Sequence, residues 1–163
     1  MKRTVFVCSV ILAMAIAVTA AAPGDQQGKT VPRDISGAMS GMFAFTGPWE
    51  GPWIVEGNAS GTVTHLGLAQ MHTTHTTSAD GIVSGGTFEI IAANGDRIRG
   101  SYSASGTWVG EFEVKGTASF FIEEGTGRFK GASGTIGADF FETLASDYWS
   151  AEVEWLLDGT IAY

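Results

Sequence analysis

Histidines, one oddly placed carboxylate and a set of tryptophans are the residues of this sequence that could do chemistry. All three histidines, His65, His72 and His75, fall within eleven residues. A metal would need them to converge. In an extended strand His65 and His75 share a face but lie roughly 30 Å apart, while His72 points the other way. Only His72 and His75 could approach one ligand, and the run His72-Thr73-Thr74-His75-Thr76-Thr77 reads more simply as a polar β-strand. No metal site and no cofactor is expected. His65 precedes Leu66-Gly67. Its simplest role is a ring donating to a backbone carbonyl and pinning a layer of the fold, with acid–base catalysis as the alternative. No serine sits in a nucleophile elbow, and the single cysteine, Cys8, lies in the N-terminal apolar stretch, so thiol chemistry is absent from the rest of the chain.

Glu142 is the carboxylate that breaks pattern. It follows Ile136, Ala138 and Phe140 at a spacing of two and precedes Leu144, so a regular strand would turn it to the apolar side. There its pKa would rise, and it could act as a general acid or hold a ligand hydroxyl. A bulge before Glu142 would return it to solvent. Glu89 is a weaker candidate of the same kind. Arg97 and Arg99 share a face nearby and could pair with such an acid or form a wet stripe. Glu142 and His65 are therefore the candidate catalytic residues. Trp49, Trp53, Tyr102 and Trp108 are the candidate ligand-binding residues, with Trp149 and Trp155 as further rings that either line a pocket or fill a core.

The elements that must position these groups are strands. Phe112, Val114, Ala118, Phe120 and Ile122 share one parity, and Glu111, Glu113, Lys115, Thr117, Ser119 and Glu123 the other. Val153, Trp155, Leu157 and Ile161 repeat the design against Glu152, Glu154 and Asp158. Asn94-Gly95-Asp96 separates two further strand-like runs and predicts a hairpin with a type I′ turn. Gly47-Pro48-Trp49 and Gly51-Pro52-Trp53 end the first strand and present two indoles on a stiff turn. No apolar period of 3.6 persists for three turns, and Leu144 to Ser150 could supply one helical turn at most. Seven to nine antiparallel strands with acidic outsides and one apolar interior are best satisfied by closure into a barrel, which leaves no unpaired edge; a two-sheet β-sandwich is the alternative.

Three segments together carry a resemblance: Thr64-His65-Leu66-Gly67, Ala93-Asn94-Gly95-Asp96, and Gly125-Thr126-Gly127-Arg128-Phe129-Lys130-Gly131-Ala132-Ser133-Gly134. In these the chain, over residues 38–163, resembles exported bacterial relatives of the allene oxide cyclase-like barrel, a group near the dirigent proteins in shape. The resemblance implies an all-β fold, a closed antiparallel eight-stranded barrel. It also implies a cavity that binds a small apolar molecule, often in an oligomer. No position here matches a catalytic carboxylate or tyrosine motif of the plant enzymes, so it assigns no catalytic residue. Read physically, the glycines of the third segment allow a tight excursion between strands, with Phe129 as an apolar plug over one barrel end. A phosphate loop is a poor reading, since the Gly-Lys-Ser/Thr ending and a following helix are both missing.

Residues 1–22 have the form of a secretory signal: Lys2 and Arg3, an apolar run from Val5 to Val18, then Ala20-Ala21-Ala22 for cleavage, with Ala20 or Ala21 favoured because Pro23 follows. The polar segment 23–37 reads as a flexible leader and 38–163 as the barrel domain. Removing the signal takes two of nine basic residues and none of seventeen acidic ones, which moves the net charge from -8 to about -10. Such a surface repels phosphate backbones and anionic lipid, so nucleic acid is not an expected partner, nor is stable membrane insertion after cleavage. The expected location is secreted or periplasmic. The leading function is binding of a small apolar molecule in the barrel. A cyclase or isomerase is second, and a packed barrel serving structure or protein interaction is third. Monomer and homo-oligomer both remain open.

Overall fold

The computed structural model describes residues 31–163. The expected signal, 1–22, and residues 23–30 of the expected leader lie outside the described residues. Eight strands follow one another: β1 (Pro32–Thr46), β2 (Trp53–Val63), β3 (Gly67–Thr77), β4 (Ile82–Ile91), β5 (Arg97–Trp108), β6 (Glu113–Gly125), β7 (Ser133–Leu144) and β8 (Ser150–Ala162). Each pairs antiparallel with its sequence neighbours, and β8 pairs with β1, so the sheet is a closed barrel rather than a sandwich. Strand β1 starts at Pro32, which corrects the expected domain start at residue 38. Residues 32–37 pair with 157–162 of β8, and Ile35 is fully buried. Proline is tolerated there because it is the first residue of the strand. Among the described residues no helix is long and apolar enough to cross a membrane.

Alternation builds the core as the pattern of β6 and β8 predicts. Ala118, Phe120 and Ile122 of β6 and Val153, Trp155, Leu157 and Ile161 of β8 are buried, and the charged residues between them are exposed. Burying each large apolar side chain stabilises the fold by about 1.5–3 kcal/mol. Glycine makes room where aromatic rings cross the interior. A Cβ on Gly116 of β6 would run into the ring of Phe140, and one on Gly57 of β2 into Phe43 and the Thr73 hydroxyl.

Two irregularities re-aim the walls. On β4, register shifts against both β3 and β5 around Gly85, which takes a left-handed φ of +62°. This bulge switches the inward parity from Val83 to Gly86, Phe88 and Ile90. On β6 the register against β5 slips at Glu123. The Asn94-Gly95 hairpin is present with a different turn. Gly95 N–H donates to Ala92 O, Ala92 N–H donates to Asp96 O, and only Gly95 (φ +87°) is left-handed, so a three-residue loop with a glycine bulge replaces type I′. Residues 145–149 form turns and not a helical turn. The single helical piece among the described residues is a 3₁₀ turn at Gly127–Phe129.

The two barrel ends differ. The loops 64–66, 92–96 and 126–132 close one end, where Leu66, Phe129 and Ala132 are buried and Phe129 packs on Tyr163 at 4.8 Å. The three resembling segments meet here. Arg128 donates to the His65 carbonyl (2.7 Å), its backbone N–H donates to Asp96, and Arg97 N–H donates to the Thr126 hydroxyl (2.9 Å). Hydrogen bonds from Asn94 and from the Arg128 backbone hold the Asp96 carboxyl below its ordinary pKa. Loops 47–52, 78–81, 109–112 and 145–149 surround the opposite, open end.

Candidate functional site

Inside the open end lies a cavity of about 300 Å³. Its depth comes from the strands: Phe45 of β1, Val114 of β6 and Phe140 of β7 form its apolar floor and lower wall, and Trp53 at the start of β2 adds one indole. The loops supply its rim. Trp49, Trp108, Trp149 and Tyr148 line it there, Trp49 packing edge-on against Tyr148 (6.0 Å) and Trp149 (6.3 Å). Trp49, Trp108 and Trp149 are 64%, 55% and 37% exposed, a cost in wetted apolar surface that clusters at this one opening.

Glu142 stands in the cavity wall. Registers of β7 with β6 and with β8 run unbroken past it, Glu142 facing Val114 on one side and Val153 on the other. No bulge returns it to water, and it keeps the inward parity of Ile136, Ala138 and Phe140. Burial among apolar neighbours pushes its pKa up to about 7. Glu89, the weaker candidate, points outside. Partial burial opposes its ionisation, but hydrogen bonds from Arg99 (2.6 Å) and Arg97 (3.0 Å) outweigh that and hold its carboxyl below the ordinary value. The arginine stripe thus finds its acid on the outer face, and among the described residues no arginine lines the cavity.

The other expected site residues separate. Trp49, Trp53 and Trp108 line the cavity with Glu142; Tyr102 does not. It has the inward parity of Trp108 on β5 but sits six residues deeper, roughly 20 Å along the strand. There it stacks on Phe120 (5.0 Å) and shares a hydrogen bond with Nδ1 of His75, and burial raises its pKa. Trp155 likewise belongs to the core. His65 lies at the closed end, on the β2–β3 turn, in a left-handed conformation (φ +67°). Its Nε2 lies 3.0 Å from the Asp34 carbonyl oxygen, the pinning role, and the length of the barrel separates it from Glu142. His72 and His75 face opposite sides of β3: His72 is outside against Asn58 Oδ1 (3.1 Å), and His75 is buried.

Sequence reasoning undervalued the interior beneath the cavity. Beside the His75–Tyr102 pair the Thr73 hydroxyl is buried, and the Trp155 indole N–H is buried without a hydrogen-bond partner among the described residues. Burial lowers the His75 pKa to about 4, so its ring is neutral at ordinary pH. The alternation of Ala69, Met71, Thr73 and His75 carried a signal for this, hidden because the polar residues on it resemble a solvated face. Tyr148, on a loop and at φ +61°, had no comparable signal.

No family model matches the chain, and no curated protein matches it. Among solved structures the chain is similar to the pterocarpan synthase dirigent protein GePTS1, at 14% identity over 94% of this chain and 99% of that one, with a TM-score of 0.40.

Proposed function

We propose that this chain is an exported barrel that holds one small, largely apolar molecule in its open end. One observation carries the reading: the barrel is solid at the Phe129 end and hollow at the other, where aromatic rings and a single carboxylate line about 300 Å³. That volume lies at the small end of ligand sites, and its lining has the usual composition of one, apolar with few polar groups. Export rests on the Lys2-Arg3 start and the apolar run to Val18. The test is native mass spectrometry of the mature protein from the cells that make it, followed by organic extraction. A stoichiometric small molecule is expected. An unliganded protein whose tryptophan emission is also indifferent to small aromatic compounds would sink the reading.

A second reading, a cyclase or isomerase, is favoured by Glu142 itself. A cavity carboxylate with a pKa of about 7 populates both its acid and its base form at neutral pH, which suits general acid–base work. His65 has no part in it, being at the other end. Turnover of the extracted molecule by the protein, with a rate break near neutral pH that Glu142→Gln removes, is the expected result; equal rates with and without protein would reject it.

A further inference from the structure

We infer that the molecule held at the open end is an organic cation, a fully substituted ammonium on a small apolar frame, seated among the indoles of Trp49, Trp53, Trp108 and Trp149 with Glu142 as its counter-ion. The inference rests on the cavity-binding reading above and narrows it.

Four of the five tryptophans in the sequence converge on this one cavity. Indole has the strongest negative π-face of the aromatic side chains, and a cage of such faces attracts a positive group that brings no hydrogen-bond donors of its own. Among the described residues none lining the cavity is Lys, Arg or His, and Glu142 makes no ion pair with any basic side chain. The contrast with Glu89, clasped by two arginines on the outer face, is direct. A half-buried carboxylate among apolar neighbours and without a partner is costly unless a cation arrives or a proton neutralises it.

The rim repeats the sign. Each of the four loops around the opening carries one exposed acid: Glu50, Asp80, Glu111 and Asp147. None of these loops carries a Lys or Arg. At the closed end the loop before β7 carries Arg128 and Lys130. These four acids put a negative rim around the mouth, which would draw cations toward it. A neutral apolar ligand would make no use of this arrangement, and an anion would be repelled by it. Four indoles outnumber the polar side chains that could meet an N–H donor directly, Glu142, Thr77 and Ser78 among them, and that balance suits an ammonium whose surface is methyl rather than N–H.

Proton linkage follows. The titratable groups facing Glu142 are Tyr148 in the wall, with Tyr102 and His75 below. Glu113 and Lys115 on β6 and Glu152 and Glu154 on β8 point outward. A bound cation favours the ionised carboxylate, so binding below about pH 7 releases a proton and affinity rises with pH through that region.

The experiment titrates tryptophan fluorescence of the mature chain with phenyltrimethylammonium and with its neutral isostere, tert-butylbenzene, at pH 8 and pH 6. The cation is expected to bind about tenfold or more tighter than the isostere at pH 8, and the gap to shrink at pH 6. Glu142→Gln should reduce the gap to a few-fold and remove its pH dependence. Trp108→Ala, on the exposed rim and safe for folding, should weaken the cation more than the isostere. Equal or tighter binding of tert-butylbenzene would overturn the inference and leave the cavity-binding reading standing. Binding of neither would overturn both.

Discussion

Folding stability as a function of pH reports on two opposed groups in the barrel interior. Glu142 has a pKa of about 7 against an ordinary 4.5, and His75 one of about 4 against 6.5. At about 1.4 kcal/mol per pH unit each shift corresponds to about 3–4 kcal/mol. The signs differ. Between pH 4.5 and 7 the folded chain keeps a proton on Glu142 that the unfolded chain has released, so stability falls as pH rises through that window. Between pH 4 and 6.5 the unfolded chain carries a proton on His75 that the folded chain lacks, so stability rises with pH there. From 4.5 to 6.5 the two slopes cancel, and the parent protein should be nearly flat. Glu142→Gln unmasks the histidine. Because the cavity opens to water, we discount the carboxylate's share to about 2–3 kcal/mol, the amount by which the variant should gain on the parent between about pH 4.5 and pH 8. Differences between pH values cancel any constant cost of the amide. Urea unfolding of both proteins across this range checks it. A variant whose stability difference from the parent is the same at every pH would refute the claim that apolar neighbours in the wall hold this carboxylate protonated.

Two further outcomes probe the packing. Phe129→Ala removes the plug of the closed end, a fully buried ring, and should cost about 3–5 kcal/mol in urea unfolding; a loss below about 1 kcal/mol would mean the end is not sealed by it. Gly57→Ala drives a methyl into Phe43 and Thr73 and should cost about 1–3 kcal/mol, so a parent-like melting temperature would contradict the crowding at that level of the barrel.

Parity was the legible part of the site. A side-chain period of two fixed the inward face of β6, β7 and β8, and with it the position of Glu142 in the wall, because no bulge intervened there. Depth was not legible. Tyr102 and Trp108 have one parity on β5, yet one is core and the other rim, since height along the axis depends on where plug and loops end the barrel. The β4 bulge at Gly85 and the left-handed His65 depend on tertiary packing that a glycine or histidine in a strand-like run does not announce. Residues 32–37 read as leader because Pro32 breaks the run and Arg33 and Asp34 are polar; only pairing with β8, far along the chain, makes them a strand.

That last pairing also orders the folding reaction. Seven of the eight strand pairs join sequence neighbours across short loops and can form as soon as both strands exist. The β1–β8 seam joins residues 106 to 130 positions apart, from Ala44 with Ser150 to Pro32 with Ala162. Bringing such ends together costs about 3 kcal/mol more entropy than closing a five-residue loop. A chain that emerges N-terminus first therefore holds the outer edge of β1, the one not paired with β2, as an open template until β8 arrives to cover it, and that interval is when neighbouring copies can pair with it instead.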